Sequence, residues 1–512
     1  MKKNVLVWLS FLLVTLLLRA YSFFYSVIDW DETLYLLIAD AWSHGSIPYV
    51  EIWDQKPPGV YLCFLLGKIF GAGDLLLGIR ILCVLAVTFV AYFLYRICQR
   101  LAPASGTFAY APGLLYIVFT LVNQGLAANT EIFFIPFVTA GVWCIVACVD
   151  VTTGTWRSRP WLLITGGVLL GFAFQIKYLV AFDLLAIAFG IAVFQFLIAP
   201  LATALRNTLR VGALLLLGFV LPNAAILYYF HAQGHLQDLI TATLSANVQH
   251  RTHGDVSIVK TAGKFYLQFR DQFILWGSAV AALFWIARGT RSNAQKWTVL
   301  VLWAWLLLDV ISISLTKKFY AHYFLQALPP LCIIFFVVWA PLYSNLQKAS
   351  RVIAVACLTL FVMLTTVLPV VEETVMTLYF RKVEGNAYWN DASAEIAALV
   401  KQDLQAGDYI FVAGAQPVIY YLTGARIPTR FPYPPFFLDD HFRHVSGIDP
   451  VNEIRSILDK KPRYIISRKL PNNAFYNLLE PHLVREYDEV RTVDGRTVFR
   501  RKDSSAVPGN KP

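Results

Sequence analysis

Charge is scarce in this 512-residue chain: Asp, Glu, Lys and Arg together make 15% of it, against 57% hydrophobic residues. So few charges cannot cover the surface of a soluble globule of this size, and the apolar residues gather into runs of the roughly 18 to 20 needed to cross a bilayer. A cysteine framework is also missing. Cys63, Cys83, Cys98, Cys144, Cys148, Cys332 and Cys357 lie in or at the ends of apolar runs, in neither a disulfide nor a zinc pattern. No small-residue cleavage site follows the run after Lys2 and Lys3, so residues 1–27 read as a retained first helix. No internal repeat of the transporter kind is visible, and the polar tail lacks a Gly-rich phosphate loop and a nucleophile motif. What remains is a polytopic membrane protein.

Spanning helices are expected near 4–25, 78–97, 105–122, 132–149, 161–176, 178–197, 211–230, 272–288, 297–315, 323–343 and 352–370, an odd number. The net charge of +11 does not imply nucleic acid, because the cations concentrate in short turns that this topology puts on one side. Arg96 with Arg100, Arg157 with Arg159, Arg206 with Arg210, Arg288 with Arg291 and Lys296, and Lys348 with Arg351 all share the side of Lys2 and Lys3. The positive-inside rule makes that side cytoplasmic. Acids and histidines, which the topology did not use, test it. Before residue 371 only Asp150 falls inside, Asp183 and Asp309 fall within helices, and the other acids and every histidine fall outside. The expectation is an inner-membrane protein with a cytoplasmic N-terminus, a membrane domain over 1–370, an extracytoplasmic α/β domain over 371–502 and a disordered tail over 503–512.

Within the tail, Asp391 should open a helix running to about Gln405 with Gly407 as its stop. Tyr409–Ala413 and Tyr464–Ser467 read as buried strands, Val451–Lys460 as a helix between them, and Val493–Arg496 as a hairpin turn.

The chemistry concentrates in residues 28–58, where Asp29, Asp31, Glu32, Asp40, Glu51, Asp54 and Lys56 crowd one short loop. Asp31 and Tyr35 stand four apart at the start of a helical pattern and share a face, although acids there also serve simply to cap a helix. Lys56 precedes Pro57 and Pro58, which fix the backbone where a surface helix, Gly59–Phe70, begins; a helix N-terminus beside a lysine suits a phosphate. Glu131 opens a later helix, where a helix-start acid is the plain alternative. Lys177, Lys317 and Lys318 sit on short outer turns, against the charge trend; snorkelling to lipid head groups competes with phosphate binding there. Tyr320 and His322 follow Lys318 closely. In 231–271, His231, His235, His250 and His253 have spacings a metal could use, but no acid pattern joins them, and acceptor binding is the favoured reading. Asp183 and Asp309 read as polar contacts inside the helix bundle.

These residues resemble the GT-C membrane glycosyltransferases, in particular the protein O-mannosyltransferase and aminoarabinose-transferase superfamily (glycosyltransferase families 39 and 83). The likeness covers roughly 1–370 and rests on D-E-T-L-Y at 31–35, K-P-P at 56–58, A-N-T-E at 128–131, Lys177, and K-K-F-Y-A-H-Y-F-L-Q-A-L-P-P at 317–330. It implies inverting transfer of a sugar from a polyprenyl-phosphate donor to a lipid, glycan or protein acceptor on the outer face. By the resemblance Asp31 is the general base and Lys56 contacts the donor phosphate; beside them Glu32 and Glu131 are read as further catalytic acids, Glu131 orienting acceptor or sugar. Lys177, Lys318 and His322 would join Lys56 at the donor phosphate, and Tyr35, Tyr320 and His250 would position substrate. Leu34 stands where aminoarabinose transferases have Arg, and Gln55 where they have Glu, so the likeness does not extend to that subfamily's sugar or its zinc ligand. No metal ligand set and no required cofactor is assigned, and a divalent cation is left open. The rival readings are a lipid-linked sugar translocator, which should carry its critical charges near the bilayer midplane, and a sensor or scaffold using the tail.

Overall fold

The computed structural model describes residues 2–150, 155–157, 159–247, 258–287, 292–470 and 472–502. His250, His253 and the expected tail 503–512 lie outside them. Among the described residues, seven helices are long and apolar enough to span a membrane: Lys2–Phe24, Leu75–Leu101, Tyr178–Ile198, Leu201–Ala232, Gln295–Leu315, Ala321–Asn345 and Lys348–Lys382. Thr130–Val146, Pro160–Ile176 and Phe273–Ala287 are shorter apolar helices at expected places. The segment expected at 105–122 is not one straight helix. It comprises a 3-10 stretch, Pro103–Tyr110, kinked at Gly106 (φ 59°), followed by the helix Ala111–Phe119.

The chain packs as two units that interleave in sequence. The first comprises Met1–Phe24, Lys56–Gly234 and Gly254–Val375, and holds most of the apolar helices. With lipid no drier than a leucine side chain, helices in a membrane associate by close packing rather than by hydrophobic burial. Gly218 shows this: a Cβ there would stand 2.1 Å from the Ile164 carbonyl oxygen, so only glycine lets helix Leu201–Ala232 meet helix Pro160–Ile176. Asp183 accepts from the Trp305 indole N–H at 2.9 Å, the bundle contact expected of it. Both carboxylate oxygens of the fully buried Asp309 find no hydrogen-bond partner among the described residues.

The second unit comprises Tyr25–Gln55, His235–His253 and Met376–Pro512. It therefore combines the acidic loop with the polar tail. Its core is a four-stranded sheet of β1 (Ile410–Val412), β2 (Tyr464–Ser467), β3 (Tyr487–Val493) and β4 (Arg496–Arg501), in the order β1-β2-β4-β3. Strand β1 is parallel to β2, and the remaining pairings are antiparallel. All residues of β1 and β2 are buried, as continuous apolar strands covered on both faces must be. Helix Pro450–Asp459 intervenes as expected, and Asp494 and Gly495 turn the β3–β4 hairpin at φ 47° and 71°. Helix Ala392–Val400 stops short of the expected Gln405. The reason lies in Asp403, drawn off the helical path to accept from Tyr464 and from Arg463 and Arg500 at 3.1 and 3.4 Å.

Candidate active site

In the second unit, Asp29 caps helix Trp30–Ser43 by accepting from the Asp31 N–H at 3.1 Å. Glu32 reaches back and accepts from the Ile28 N–H at 2.5 Å, so this acid holds the helix start. Asp31, half-buried in the first turn, is placed differently. Tyr35, one turn on, donates its hydroxyl to Asp31 Oδ2 at 3.1 Å, which is the shared face the spacing predicted. The Oδ1 oxygen accepts from Tyr433, 402 residues away in the tail, at 3.3 Å. Tyr433 lies edge-on to Trp30, with ring centroids 6.1 Å apart, and also contacts Phe436 and Phe442 at 5.3 and 6.5 Å. Sequence reasoning missed Tyr433. Its available signal was the proline-flanked aromatic run Phe431-Pro-Tyr-Pro-Pro435 in an otherwise ordinary tail.

The acidic loop is tied to the tail at two further places. Asp391, the cap of helix Ala392–Val400, also accepts from the N–H and hydroxyl of Ser26 at 2.9 and 2.7 Å. At the other end the Trp53 N–H donates to the Arg430 carbonyl at 2.8 Å, while the Arg430 guanidinium donates to the Tyr49 carbonyl at 2.6 Å. Tyr49 is fully buried at φ 72°, a left-handed conformation that a bulky side chain keeps only when its surroundings hold it.

In the first unit, Lys56 is half-buried, and the Tyr61 hydroxyl donates to its carbonyl at 3.3 Å. Helix Gly59–Phe70 begins as read from the prolines. A Cβ on Gly59 would lie 2.5 Å from the Gln175 carbonyl oxygen, so the glycine allows the K-P-P segment to lie against the turn that carries Lys177. Lys177 is 7% exposed and pairs with the fully buried Glu131. Its ammonium also stands 3.9 Å from the Tyr323 ring centroid. His322 packs edge-on against Tyr323 at 4.8 Å and stacks on Tyr320 at 5.7 Å. Its Nδ1 lies 3.0 Å from Gln124 Oε1, an arrangement in which the amide oxygen accepts and Nδ1 carries the proton.

Four residues proposed from sequence, Glu131, Lys177, Tyr320 and His322, thus form one cluster with Tyr323 and Gln124. Gln124 sits at φ 56° beside Asn123 at φ 60°, in a loop whose Leu126 carbonyl is held by the buried Arg19 at 3.1 Å. Lys318 lies on the neighbouring turn, where its carbonyl accepts from Lys264 at 2.6 Å. Among the other histidines, His235 contacts Asp238 at 2.8 Å. Among the described residues no three His, Cys, Asp or Glu stand together as a metal set.

The architecture is that of a polytopic helical membrane protein with a small C-terminal α/β domain. ArnT from Cupriavidus metallidurans, crystallised with undecaprenyl phosphate, aligns with a TM-score of 0.63 at 14% identity, over 97% of this chain and 98% of that one. The apo oligosaccharyltransferase of Archaeoglobus fulgidus aligns with a TM-score of 0.51 at 10% identity, over 98% of this chain and 75% of that one. Residues 54–227 match the family model of dolichyl-phosphate-mannose-protein mannosyltransferases. No curated protein sequence matches the chain significantly. The fold is therefore shared with these two proteins, and the family likeness covers residues 54–227.

Proposed function

We propose that this protein is an inverting glycosyltransferase that moves a sugar from a polyprenyl-phosphate carrier to a hydroxyl of a lipid, glycan or protein at the outer face of the membrane. The observation that carries the reading is the Asp31 carboxylate, half-buried in the first turn of its helix and engaged on both oxygens by tyrosine hydroxyls. A carboxylate oriented in this way is suited to accept a proton. The fold likeness to a protein crystallised with undecaprenyl phosphate, and the family model's dolichyl-phosphate donor, support the donor class.

In the reaction, Asp31 removes the acceptor hydroxyl proton as that oxygen attacks the anomeric carbon, opposite the departing phosphate. The bond from anomeric carbon to phosphate oxygen breaks, and the electron pair leaves with the phosphate. Negative charge grows there and is met by Lys56, Lys318 and His322. Lys177 has three N–H donors and gives one to Glu131, so its role combines fixing this cluster with presenting positive charge. Glu32 and Tyr35 keep the helix start and the base in register, and Tyr320 backs the imidazole of His322.

The test compares the glycans and glycolipids of cells expressing wild-type protein or Asp31→Asn by mass spectrometry. A sugar adduct present with the wild type and lost with the variant, at equal protein level, is the expected result. An unchanged adduct would remove Asp31 as the base.

A further inference from the structure

The tail of this chain carries no catalytic motif of its own, yet one of its side chains touches the acid on which the proposed reaction turns. We infer that Tyr433 is a positioning residue for the Asp31 carboxylate, so that the C-terminal unit completes the acceptor side of the site. This rests on the reading of Asp31 as the general base.

The argument begins with the backbone. Tyr433 lies between Pro432 and Pro434, with Pro435 next and Pro428 shortly before, and each ring fixes its own φ near −65°. A segment built this way has few conformations, and its ends are pinned. The Phe431 N–H donates to Thr429 Oγ1 at 2.9 Å, and Thr429 in turn donates to Glu453 at 2.6 Å. Arg430 is joined through both its carbonyl and its guanidinium to the loop that follows the Asp31 helix. Trp53 packs on Phe431 and Phe436 at 6.0 and 5.0 Å, which fixes the flanks of Tyr433 against the same loop. The phenol therefore reaches Asp31 from a rigid frame and not from a mobile side chain on a loose loop.

The second step is the chemistry of two hydroxyl donors on one carboxylate. Tyr35, on the same helix as Asp31, engages one oxygen of a group whose χ2 torsion is intrinsically broad. Tyr433 donates to the other oxygen, so a second element constrains the plane of the group. Hydrogen bonds to the charged form also favour that form. Tyr433 thus helps aim the base, and the partly exposed Trp30 and Phe442 rings pack against its phenol.

The experiment measures sugar transfer against pH for the full-length protein and for Tyr433→Phe, Phe442→Ala and Asp31→Asn. Phenylalanine keeps every ring contact and removes one oxygen, so the variant folds, which its melting temperature confirms. In Tyr433→Phe the acid limb of kcat moves to higher pH by about 0.5 to 1 unit, since one hydrogen bond to the charged form is lost. The KM for the lipid-linked donor stays unchanged. Phe442→Ala, which loosens the packing around Tyr433 without touching its hydroxyl, leaves the limb in place. If Asp31→Asn is inactive but the limb of Tyr433→Phe coincides with wild type, or moves equally in Phe442→Ala, the positioning role is overturned and the base assignment stands. If Asp31→Asn transfers normally, both fall together.

Discussion

The two clusters of charged and aromatic side chains are built on opposite plans. Around Glu131 and Lys177 the charges are closed in: the acid is fully buried, the lysine nearly so, and each is satisfied by the other and by neighbouring rings. Around Asp31 the acid is only half-buried, two tyrosine hydroxyls donate to it, and aromatic edges flank it. A buried ion pair answers first for its own desolvation, and removing one partner leaves a charge stranded. A half-buried carboxylate oriented by hydroxyl donors keeps part of its surface accessible. The first plan suits fixed architecture next to a substrate; the second suits a group that must give and take a proton.

The sharpest way to break the contrast is to neutralise each acid. Asp31→Asn should lower transfer by about 10²- to 10⁴-fold, the usual span for loss of a general base, with melting temperature unmoved. Lys177→Met should cost about 3–5 kcal/mol of stability by stranding Glu131, read as a lower melting temperature in detergent. Adding Glu131→Gln to Lys177→Met should recover part of that loss; no recovery would mean that the pair is not coupled as described. Gly59→Ala forces a Cβ against the Gln175 carbonyl and should cost about 1–3 kcal/mol through overpacking, together with a raised KM for the lipid-linked donor as the Lys56 segment shifts. An unchanged KM would separate Lys56 from donor binding.

The smallest expected effect concerns pH and the second unit alone. Burial pushes the Asp403 carboxyl up, but the Tyr464 hydroxyl and the Arg463 and Arg500 guanidiniums outweigh it and hold the group below the ordinary carboxylate range. A depressed carboxyl stabilises the fold above its unfolded pKa of about 3.9 and loses that stabilisation as pH falls through the folded value. Asp403→Asn should therefore flatten the acid end of the unit's stability curve. Because Asp403 is partly exposed, the change should stay within about 1 kcal/mol.

What could be read from the sequence is what is local in the chain. The helix Gly59–Phe70, the Asp31–Tyr35 face and the Asp494–Gly495 turn each follow from neighbouring residue types, and the structure has all three. The Glu131–Lys177 pair joins residues 46 apart, and single ionisable residues at the ends of apolar helices were its only sign. Tyr433 and Asp31 are 402 residues apart, and no periodicity links an aromatic in a polar tail to an acid in the first loop. Nor does composition show that the first loop folds with the tail, because that union depends on single contacts such as Ser26 with Asp391 and Trp53 with Arg430. The Ala392–Val400 helix ended early for the same reason: Asp403 had a distant partner more favourable than another helical turn.

The prolines flanking Tyr433 have a consequence outside the folded protein. Each restricts the unfolded chain, which then has fewer conformations to surrender when the segment docks, an advantage of about 0.4–1 kcal/mol per residue where the native backbone suits the ring. Replacing Pro432 or Pro434 by alanine would leave the contacts of the Tyr433 side chain as drawn and still make the native state harder to reach. The reach of Tyr433 toward Asp31 is partly settled before the chain folds.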